Sequence, residues 1–594
     1  MADRNQLSIH YDPDNRRFLI RCPVWANDMV HVVPSCKWSK KDRAWAAPMV
    51  QQNVIKLREL SKMGGVVTDE DAIEQMGRYE DEAKAKKATG SGFPPWYSFK
   101  RPPLKHQMTG LNKLYHKAAG ALYMEMQTGK SKVAIDLCAA HRMEGHVDSV
   151  LVVTKLSLRR NWEHHFAVDC PIPYDIYLPS TDKGKHFERW NGTPHDFKVM
   201  VVGWESLSAG RMPDMCKAFL SAHLHPAIVG DETTYITNFK AARTKHMISF
   251  AKQASYRYAL AGEPWLEGPM NLFSQFEFLD PDIVGIGDFY AFRNRYAIMG
   301  GFMREMPNGR KIATEIVGYR QLDELARLIT PYTHEVRKKD EYDLPPKRYE
   351  VRTVELTKVQ RDLLIQIKRE EAYEHKGTGS VVMQNVLEAA LRRHQITGGY
   401  AVKPHEITRA KRDGTQYVKT VFEPVELVKP DKNPKMIEVV EFVEEWKGKK
   451  QGLLWAVYMP EIMALTMLMR RMGLKVGELH GGVPENARQG MVDEFQRGGL
   501  DIVVGNASTG GMGYTMMAAE VNMFYNNTFK AIDRVQAEDR SWGQGQTKSG
   551  IWVDFAAEKT IDFVILKALE DKLDLSAFLR QRIKDVDKLL DGEL

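Results

Sequence analysis

Residues 122–131 read LYMEMQTGKS, an apolar run that leads through a Gly-Lys-Ser turn into a helical pattern. Such a loop would place the amine of Lys130 on the β- and γ-phosphates of a nucleotide and the hydroxyl of Ser131 on Mg²⁺. The match to the eight-residue loop pattern is imperfect, because Met124 stands where that pattern has glycine and Gln127 is not small. The turn alone also fits an ordinary loop, so other segments have to decide between the two interpretations.

An acidic pair further along the chain gives a second signal. Asp231 and Glu232 come directly after the apolar run Ala227-Ile228-Val229 and are followed by two threonines. A carboxylate at the end of a strand is suited to hold Mg²⁺, and a second one beside it can act as the base that activates water. Together the loop and the pair predict an ATP-binding motor with ATP and Mg²⁺ as cofactors.

Length and composition limit the class of protein. The chain of 594 residues is too long for one core, and roughly 150 residues per domain predict three or four units. No apolar run approaches the roughly 18 residues needed to cross a bilayer, and the N-terminus lacks an apolar signal core. The five cysteines form no CxxC pair, which argues against a zinc site or a disulfide framework built on them. We therefore expect a cytoplasmic protein with no membrane partner.

Charge gives weak evidence for a polyanionic partner. The net charge is only +7, from 84 Lys and Arg against 77 Asp and Glu. Local clustering is more suggestive, since the segment KWSKKDR at residues 37–43 interleaves cations with an aromatic side chain. A solvated face remains the alternative interpretation of such a run.

The pattern of apolar and polar stretches predicts the domain organisation. Short apolar runs such as Val150–Val153 and Val199–Val202 alternate with amphipathic stretches, which is typical of a parallel sheet covered by helices. The charged, then Gly/Pro-rich stretch after residue 62 is typical of a linker. We predict a small α+β domain at 1–62, a linker at 63–98, a first α/β lobe at 99–336, a helical insertion region at 337–431 and a second α/β lobe with C-terminal helices at 432–594. Within the helical insertion region, residues 409–419 are predicted to form a hairpin-like insertion.

Several further segments follow one another in a fixed order. They are Leu104–Gln107, Asn161-Trp162, Trp204–Leu207, Leu260–Pro264, Gln275–Pro281, His480–Gly482, Thr509–Tyr514 and Gln536–Gln546. With the loop and the acidic pair, this set resembles the Swi/Snf family of superfamily-two helicase-type ATPases over residues 99–563. Segments between the motifs resemble the compact Swi/Snf-like proteins of bacteria and phages. The resemblance implies an α/β fold of two RecA-like parallel-sheet lobes.

The resemblance also implies roles for individual residues. Lys130, Asp231, Glu232, Gln536 and Arg540 would be catalytic, with Arg540 reaching the phosphate from the second lobe as an arginine finger. Ser131 and Asp231 would hold the metal, and Asn161 and Trp162 would contact DNA. The nucleotide-binding residues would be Gln107, which reads the adenine edge, with Gln127, Thr128, Gly129, Lys130, Ser131, Gly511 and Gly513.

Residues 6–60 resemble the HARP domain of annealing helicases in this family. The strand-turn-strand start and the residues Trp38, Trp45 and Pro48 carry this resemblance. It implies that nearby cations contact phosphates while an aromatic ring stacks on exposed bases. The candidate DNA-binding residues are Lys37, Trp38, Lys40, Lys41 and Arg43. Alternatively, the two tryptophans form an aromatic core of a small domain.

Four residues depart from the family pattern. Gln127 replaces a usual glycine, Lys155 a usual proline, Glu263 a usual threonine and Gly543 the second of two arginines. Loss of an arginine could leave a slow enzyme or a nucleotide-binding switch. We favour activity, because a decayed site would not be expected to retain all five of the residues Lys130, Ser131, Asp231, Glu232 and Arg540.

The sequence thus predicts an ATP-driven motor that tracks double-stranded DNA. The N-terminal resemblance favours remodelling or annealing of branched DNA in replication, recombination or repair, with proteins of those processes as partners. We expect it in a bacterial or phage-infected cytoplasm, associated with the nucleoid. Two alternatives stay open, a DNA- or protein-binding factor with an impaired ATPase that acts by occupying its target, and an RNA-directed helicase.

Overall fold

The computed structural model describes most of residues 6–571. Outside the description lie residues 1–5, 16, 24–25, 31, 34–35, 88–91, 180–184, 194, 196, 266–267, 306–310, 379–382, 411–415, 511–513, 547 and 572–594. The chain forms two compact units, which meet in sequence between Arg337 and Lys338. Among the described residues, no helix combines the length and the apolar character that a bilayer crossing requires.

A small α+β domain opens the first unit. Its elements are β1 (Leu7–Asp12), β2 (Arg17–Arg21), α1 (Asn27–Val30), β3 (Lys37–Ser39), β4 (Ala44–Pro48), α2 (Gln51–Ser61), β5 (Val66–Thr68) and α3 (Glu70–Lys87). The strands form one sheet in the order β3-β4-β2-β1-β5, in which only the pair of β1 and β5 is parallel. Alternate residues of β1 and β2, such as Ile9 and Ile20, are buried beneath the helices, as their spacing predicts.

The linker predicted at residues 63–98 is wrong over its first part. Strand β5 pairs with β1, and helix α3 buries Ala72, Met76 and Tyr79 in the core of the small domain. These three side chains recur every three or four residues and so share one face of the helix. The prediction gave more weight to the charged stretch that follows them than to this apolar spacing.

An α/β lobe makes up the rest of the first unit. Its strands are β6 (Ala119–Met124), β7 (Ser149–Thr154), β8 (Asp175–Tyr177), β9 (Lys198–Gly203), β10 (Pro226–Asp231), β11 (Tyr256–Ala261), β12 (Ala297–Glu305), β13 (Lys311–Tyr319) and β14 (Thr333–Val336). Its helices are α4 (Lys105–Leu114), α5 (Lys130–Met143), α6 (Arg159–Asp169), α7 (Lys185–Gly192), α8 (Met212–Ser221), α9 (Ala242–Ala251), α10 (Leu272–Leu279), α11 (Pro281–Val284), α12 (Phe289–Tyr296) and α13 (Leu322–Ile329). Strands β12 and β13 form a separate hairpin.

The other seven strands of the lobe form a parallel sheet that is covered on both faces. Their order is β14-β6-β11-β10-β7-β9-β8, and every neighbouring pair is parallel. Every residue of β6, β7, β9 and β10 is buried. Leu151 and Val153 belong to one apolar cluster, whereas Val150 and Val152 belong to another, because successive side chains of a strand point to opposite faces. The predicted fold class is confirmed for this lobe.

A second parallel sheet forms the centre of the second unit. The strands of this unit are β15 (Arg348–Val354), β16 (Tyr400–Ala410), β17 (Gln416–Glu426), β18 (Gln451–Trp455), β19 (Val476–Leu479), β20 (Ile502–Gly505), β21 (Ala519–Phe524) and β22 (Ile551–Ala557). Its helices are α14 (Lys338–Glu341), α15 (Lys358–Thr378), α16 (Met383–Thr397), α17 (Pro434–Trp446), α18 (Met459–Arg471), α19 (Glu485–Gln496), α20 (Ala507–Gly510), α21 (Ala531–Glu538) and α22 (Ile561–Glu570). The sheet order is β15-β22-β21-β18-β20-β19, and all pairs are parallel.

The insertion region predicted at residues 337–431 is only partly helical. Strand β15 lies within it and pairs with β22 at the edge of the second sheet. Edge strands expose part of their surface, and most residues of β15 are exposed or half-buried, which left only a weak apolar signal. The hairpin-like insertion predicted at 409–419 is the tip of the longer hairpin of β16 and β17. Of the predicted C-terminal helices, α22 is described and residues 572–594 lie outside the description.

Candidate active site

The Gly-Lys-Ser turn joins the end of β6 to the start of α5. Gly129 caps the helix with φ of +88°, a left-handed conformation that glycine adopts without strain. A Cβ atom at this position would lie 2.2 Å from Nε2 of Gln107, so any other residue would displace the Gln107 amide in addition to straining the backbone. The N-terminus of α5, with its free backbone N–H groups, therefore follows directly on the loop, which is the arrangement that binds phosphate.

Gln127 also has a left-handed backbone, with φ of +65°. This conformation costs a residue with a side chain about 1–2 kcal/mol, which gives a physical reason for the usual glycine here. The Gln127 amide nitrogen is buried and has no hydrogen-bond partner among the described residues. The departure noted in the sequence is thus a strained residue within the loop itself.

Two side chains of α4 form hydrogen bonds with the backbone of the loop. His106 Nε2 lies 2.9 Å from the carbonyl oxygen of Thr128, and Gln107 Nε2 donates to the same oxygen over 3.0 Å. The Gln107 carbonyl accepts from the backbone of Leu104, so one amide hydrogen and one lone pair remain for a base. The adenine role of Gln107 therefore stays a prediction, whereas its support of the loop is a finding that the sequence did not indicate.

Lys130 is the first residue of α5 and points back into the loop. Its amine donates to the carbonyl oxygen of Met124 over 2.9 Å, and its side chain is buried. Ser131 follows and is half-buried. A buried ammonium whose partner, within the described part of the chain, is a neutral carbonyl is a ready site for an anion.

The acidic pair lies where β10 ends. Asp231 is the last residue of the strand, and Glu232 follows in a left-handed conformation with φ of +56°. Both side chains are buried. Strained conformations of residues other than glycine are concentrated at functional sites, and here the strain falls on the predicted water-activating base.

Three neutral donors fix Asp231. Its Oδ2 accepts from the hydroxyl of Thr154 and from the indole N–H of Trp162, both over 2.9 Å. Its backbone carbonyl accepts from the indole N–H of Trp204 over 2.7 Å. Thr154 ends β7, Trp162 lies in α6 and Trp204 follows β9, so three separate elements hold Asp231 in place.

The prediction that Trp162 contacts DNA is wrong. Only 1% of its surface is exposed, and its N–H is bonded to Asp231, so it cannot stack on or contact DNA. The motif pattern locates this tryptophan correctly but gives no information about the direction of its ring. Asn161, beside it, is half-buried, and its DNA role stays a prediction.

A second set of bonds ties the acidic motif to the later motifs. Thr233 donates to Oε1 of Gln275 over 2.7 Å, and Tyr123 donates to the same oxygen over 3.3 Å. The amide nitrogen of Gln275 donates to the carbonyls of Pro264 and Asn271. Thr233, the first of the two threonines after the acidic pair, thus connects that pair through Gln275 to the segment of residues 260–264.

The loop and the acidic pair lie at one edge of the sheet. Tyr123 of β6 is opposite Ala261 of β11, and Leu260 is opposite Asp231 of β10. The ends of β6 and β10 therefore lie in nearly the same register. Because β11 lies between these two strands, they are two strand spacings apart, or about 10 Å. An ammonium, a hydroxyl and a helix N-terminus on one side and a carboxylate on the other are the donor set that fits ATP with Mg²⁺.

The second unit buries its predicted catalytic residues. Gln536, in α21, is 5% exposed, and Arg540, just beyond the helix, is 2% exposed. The backbone carbonyl of Arg540 accepts from the N–H of Met516 over 2.8 Å. Gly511 and Gly513 lie outside the described residues. The catalytic roles of Gln536 and Arg540 stay predictions.

A buried ion-pair network that no sequence pattern indicates anchors α21. The Arg534 guanidinium binds Asp554 through both Nη atoms and donates from Nε to Glu538 over 2.8 Å. Glu538 also accepts from Lys347 and Tyr349. Burial would raise the pKa of Glu538, but Arg534 and Lys347 outweigh it and lower that pKa to about 2. Arg534 therefore holds the helix that precedes Arg540.

The basic cluster of the small domain is exposed. Lys37, Trp38, Lys40, Lys41 and Arg43 all lie on the surface, and Trp38 is 52% exposed. The Trp38 ring packs edge-on against that of Trp45 at 5.7 Å, and Lys37 forms an ion pair with Asp288 of the first lobe. Trp45 thus serves the aromatic-core interpretation, whereas the DNA role of the other five residues stays a prediction.

These features define a class. One parallel α/β lobe contains a phosphate loop that turns at a glycine and an acidic pair at the end of a strand. Together with a second parallel lobe, these are the features of helicase-type ATPases. A model of the SNF2-related domain matches residues 75–398, more than half of the chain, and one of the helicase conserved C-terminal domain matches residues 431–544. The chain belongs to the SNF2-related family.

Similar proteins come from eukaryotes and an archaeon. The chain is 22% identical to the ATP-dependent helicase fft1 of Schizosaccharomyces pombe, over 82% of this chain and 54% of that protein. It is 23% identical to the SWI/SNF-related matrix-associated actin-dependent regulator of chromatin subfamily A-like protein 1 homolog of Caenorhabditis elegans, over 80% and 66%. The chain thus spans about half to two thirds of these relatives. A solved structure, the Sulfolobus solfataricus SWI2/SNF2 ATPase core in complex with dsDNA, is 19% identical and covers 84% of this chain and 95% of its own, with a TM-score of 0.34.

Proposed function

We propose that this protein is a DNA-dependent ATPase that tracks double-stranded DNA. Lys130 would bind the β- and γ-phosphates, while Ser131 and Asp231 would hold Mg²⁺, which neutralises phosphate charge when bound. Glu232 would orient and deprotonate the attacking water. The observation that carries this proposal is the shared edge of the first sheet, where the loop and the acidic pair lie two strands apart.

Further residues would complete the site. Arg540 would stabilise charge on the transferring phosphoryl group, with Gln536 beside it in the same motif. Gln107 would use its remaining hydrogen and lone pair for the adenine. Gly511 and Gly513 would let the backbone approach the nucleotide closely.

A row of exposed cations supports a nucleic acid as the second ligand. Arg160, Arg211 and Lys240 are exposed and follow β7, β9 and β10, at the same edge of the sheet as the acidic pair. Glu205 is exposed among them and accepts from the backbone of Leu156, so the edge is basic without being uniformly so. Cations that contact the backbone of DNA give affinity without sequence specificity, which is what a motor that moves along DNA needs.

The small domain would direct the motor to branched DNA. Its exposed Trp38 is surrounded by exposed cations, a combination that suits stacking on an unpaired base beside a phosphate. On this basis we propose a HARP-like domain and a role in remodelling or annealing branched DNA during replication, recombination or repair. A compact bacterial or phage type of protein, associated with the nucleoid and with proteins of those processes, belongs to the same proposal.

Two features favour a second candidate function. Gln127 strains the phosphate loop, and Gly543 takes the place of a second arginine. Both features would slow turnover, so the protein could act by occupying its DNA or protein target with a bound nucleotide. An RNA-directed helicase is the remaining alternative, because the cationic edge would also attract RNA.

The test is steady-state ATP hydrolysis with no nucleic acid, duplex DNA, single-stranded DNA, forked DNA and RNA. The proposal expects duplex DNA to raise turnover at least tenfold and forked DNA to raise it further. Stimulation by RNA but not by duplex DNA would identify an RNA-directed enzyme. Absence of stimulation together with tight DNA binding would identify the occupancy function.

A charge-matched pair of variants tests the cationic edge. The double variant Arg160→Ala with Lys240→Ala removes two cations from the edge, whereas Lys449→Ala with Lys450→Ala removes two that precede β18 in the second unit. The first should lower the salt dependence of duplex binding by about two phosphate contacts, and the second should leave it unchanged. Equal effects of the two variants would contradict the placement of DNA on this edge.

A further inference from the structure

A cluster of three metal-ligand side chains lies at the far end of α5 from the phosphate loop. His141 is in the last turn of the helix, and Glu144 and His146 follow in the turn after it. One ligand atom of each residue lies within 4.8 Å of the others. The helix of 14 residues is about 20 Å long, so the cluster is remote from the nucleotide.

His141 is a buried imidazole in unusual surroundings. Its side chain is 2% exposed and lies between two aromatic rings, with centroids 4.7 Å from Tyr115 and 3.9 Å from Tyr256. Neither ring nitrogen has a hydrogen-bond partner within the described part of the chain. A buried polar atom without a partner costs about 1–3 kcal/mol, so the structure retains this ring at an energetic cost.

The backbone presents the three residues on one short turn. Gly145 has φ of +77° and reverses the chain, and the N–H of His146 donates to the carbonyl oxygen of His141 over 2.8 Å. His146 Nδ1 lies 3.3 Å from a carboxylate oxygen of Glu144. His146 and Glu144 are 57% and 32% exposed, so an ion can enter from solvent while His141 closes the site from within.

We propose that His141, Glu144 and His146 form a binding site for a divalent transition metal of the Zn²⁺ class. Two imidazoles and one carboxylate are ligands that Zn²⁺ accepts, and water would fill the fourth position. Tetrahedral ligands at about 2.0–2.1 Å from Zn²⁺ are about 3.3 Å apart, so the two outer side chains move inward by about 1 Å. The bound ion joins the end of α5 to the turn that follows and gives the buried His141 nitrogen its missing partner.

The experiment titrates the full-length protein with ZnCl₂ by calorimetry and with CoCl₂ by visible absorption. The intact protein should bind one ion at this site. His146→Ala removes an outer ligand, and His141→Phe keeps an aromatic ring between the two tyrosines but has no lone pair. Each should weaken binding at least about tenfold, since even loss of an outer-shell partner costs about 10- to 100-fold. His225→Ala removes an exposed histidine that is not one of the three ligands, and it should leave the affinity unchanged.

Thermal unfolding provides a second measurement that does not depend on ATP turnover. Zn²⁺ should raise the unfolding temperature of the intact protein and of His225→Ala, but not that of His146→Ala, because only a native-state site is stabilised by the ion. Equal Zn²⁺ affinity in the intact protein, His146→Ala and His141→Phe would overturn the proposal. So would the absence of Zn²⁺ binding at stoichiometric concentrations.

Discussion

The buried charges of the candidate site in the first unit are held differently from those around α21 in the second. In the first, Lys130 donates to a carbonyl and Asp231 accepts from a hydroxyl and an indole, with no ion pair to either among the described residues. In the second, Arg534 and Glu538 take part in a closed set of ion pairs. Charges held by neutral groups remain available to a ligand, whereas charges that neutralise one another stabilise the fold.

The difference indicates where the chemistry occurs. A buried charge without an opposite charge is costly, and a ligand that supplies one recovers part of that cost. In the proposed site, the phosphates of ATP would do this for Lys130, and Mg²⁺ would do it for Asp231. In the second unit the same reasoning makes Arg534 a structural residue, although it lies only six residues before Arg540.

Glu232→Gln should have the largest effect and would test the chemical role of the first unit. The amide keeps the size of the side chain but cannot accept a proton, so DNA-stimulated ATP turnover should fall about 10³- to 10⁴-fold. Asp214→Asn, which neutralises an exposed acid in α8, should retain turnover. Comparable turnover of Glu232→Gln and the intact protein would remove Glu232 from the chemistry.

Glu538→Gln should destabilise the second unit instead of slowing ATP turnover directly. Removing one partner of a buried ion pair costs about 3–5 kcal/mol, measured as the free energy of unfolding in urea at pH 7. Glu445→Gln disrupts a pair with Arg352 in which Glu445 is 55% exposed, and it should cost less than about 1 kcal/mol. Similar losses in the two variants would contradict the structural role of the network.

The pH dependence of this loss follows from the lowered pKa of Glu538. Because the folded-state pKa is about 2, below the unfolded value, the stability that Glu538 contributes is complete above pH ~4.5. It is lost as the pH falls towards 2, where the carboxyl becomes protonated in both states. The difference in unfolding free energy between the intact protein and Glu538→Gln should therefore shrink between those pH values.

Trp162→Phe should have an intermediate effect in the first unit. The substitution keeps an aromatic ring but removes the N–H that orients Asp231, so turnover should fall about tenfold and more Mg²⁺ should be needed for half-maximal activity. Trp190→Phe is the matched control, because the Trp190 N–H has no partner among the described residues. Equal effects of the two variants would show that Trp162 acts only through packing.

Gln127→Gly should have the smallest effect. Glycine relieves about 1–2 kcal/mol of left-handed strain but increases the entropy of the unfolded chain by up to about 1 kcal/mol. The unfolding free energy should therefore change by less than about 1 kcal/mol, while turnover rises up to about threefold. A decrease in turnover would indicate that the Gln127 amide itself contacts the nucleotide.

Local patterns predicted the parts of the site that are local in sequence. A Gly-Lys-Ser turn after an apolar run placed Lys130 at the start of a helix, and a carboxylate after another run placed Asp231 at the end of a strand. Parallel topology then brings both to one edge. None of this requires knowledge of contacts between distant segments.

The parts that could not be predicted depend on side-chain direction and distant partners. Trp162 occupies a DNA-contact motif, but its ring turns inward to an aspartate 69 residues away. Arg534 lies only six residues before Arg540, and its structural role depends on Asp554, which is 20 residues further along the chain. Strand β5 was missed because its pairing with β1 is likewise a contact between distant residues.

The most direct test of the difference between the units is equilibrium binding of a non-hydrolysable ATP analogue with Mg²⁺, compared with turnover, for Lys130→Ala and Arg540→Ala. Lys130→Ala should lose about 10- to 100-fold in affinity and nearly all turnover, because a charged hydrogen bond to phosphate is gone. Arg540→Ala should keep its affinity within about threefold while turnover falls about 10³-fold, since an arginine finger acts on the transition state. Tight analogue binding by Lys130→Ala, or loss of analogue binding in Arg540→Ala, would contradict the account.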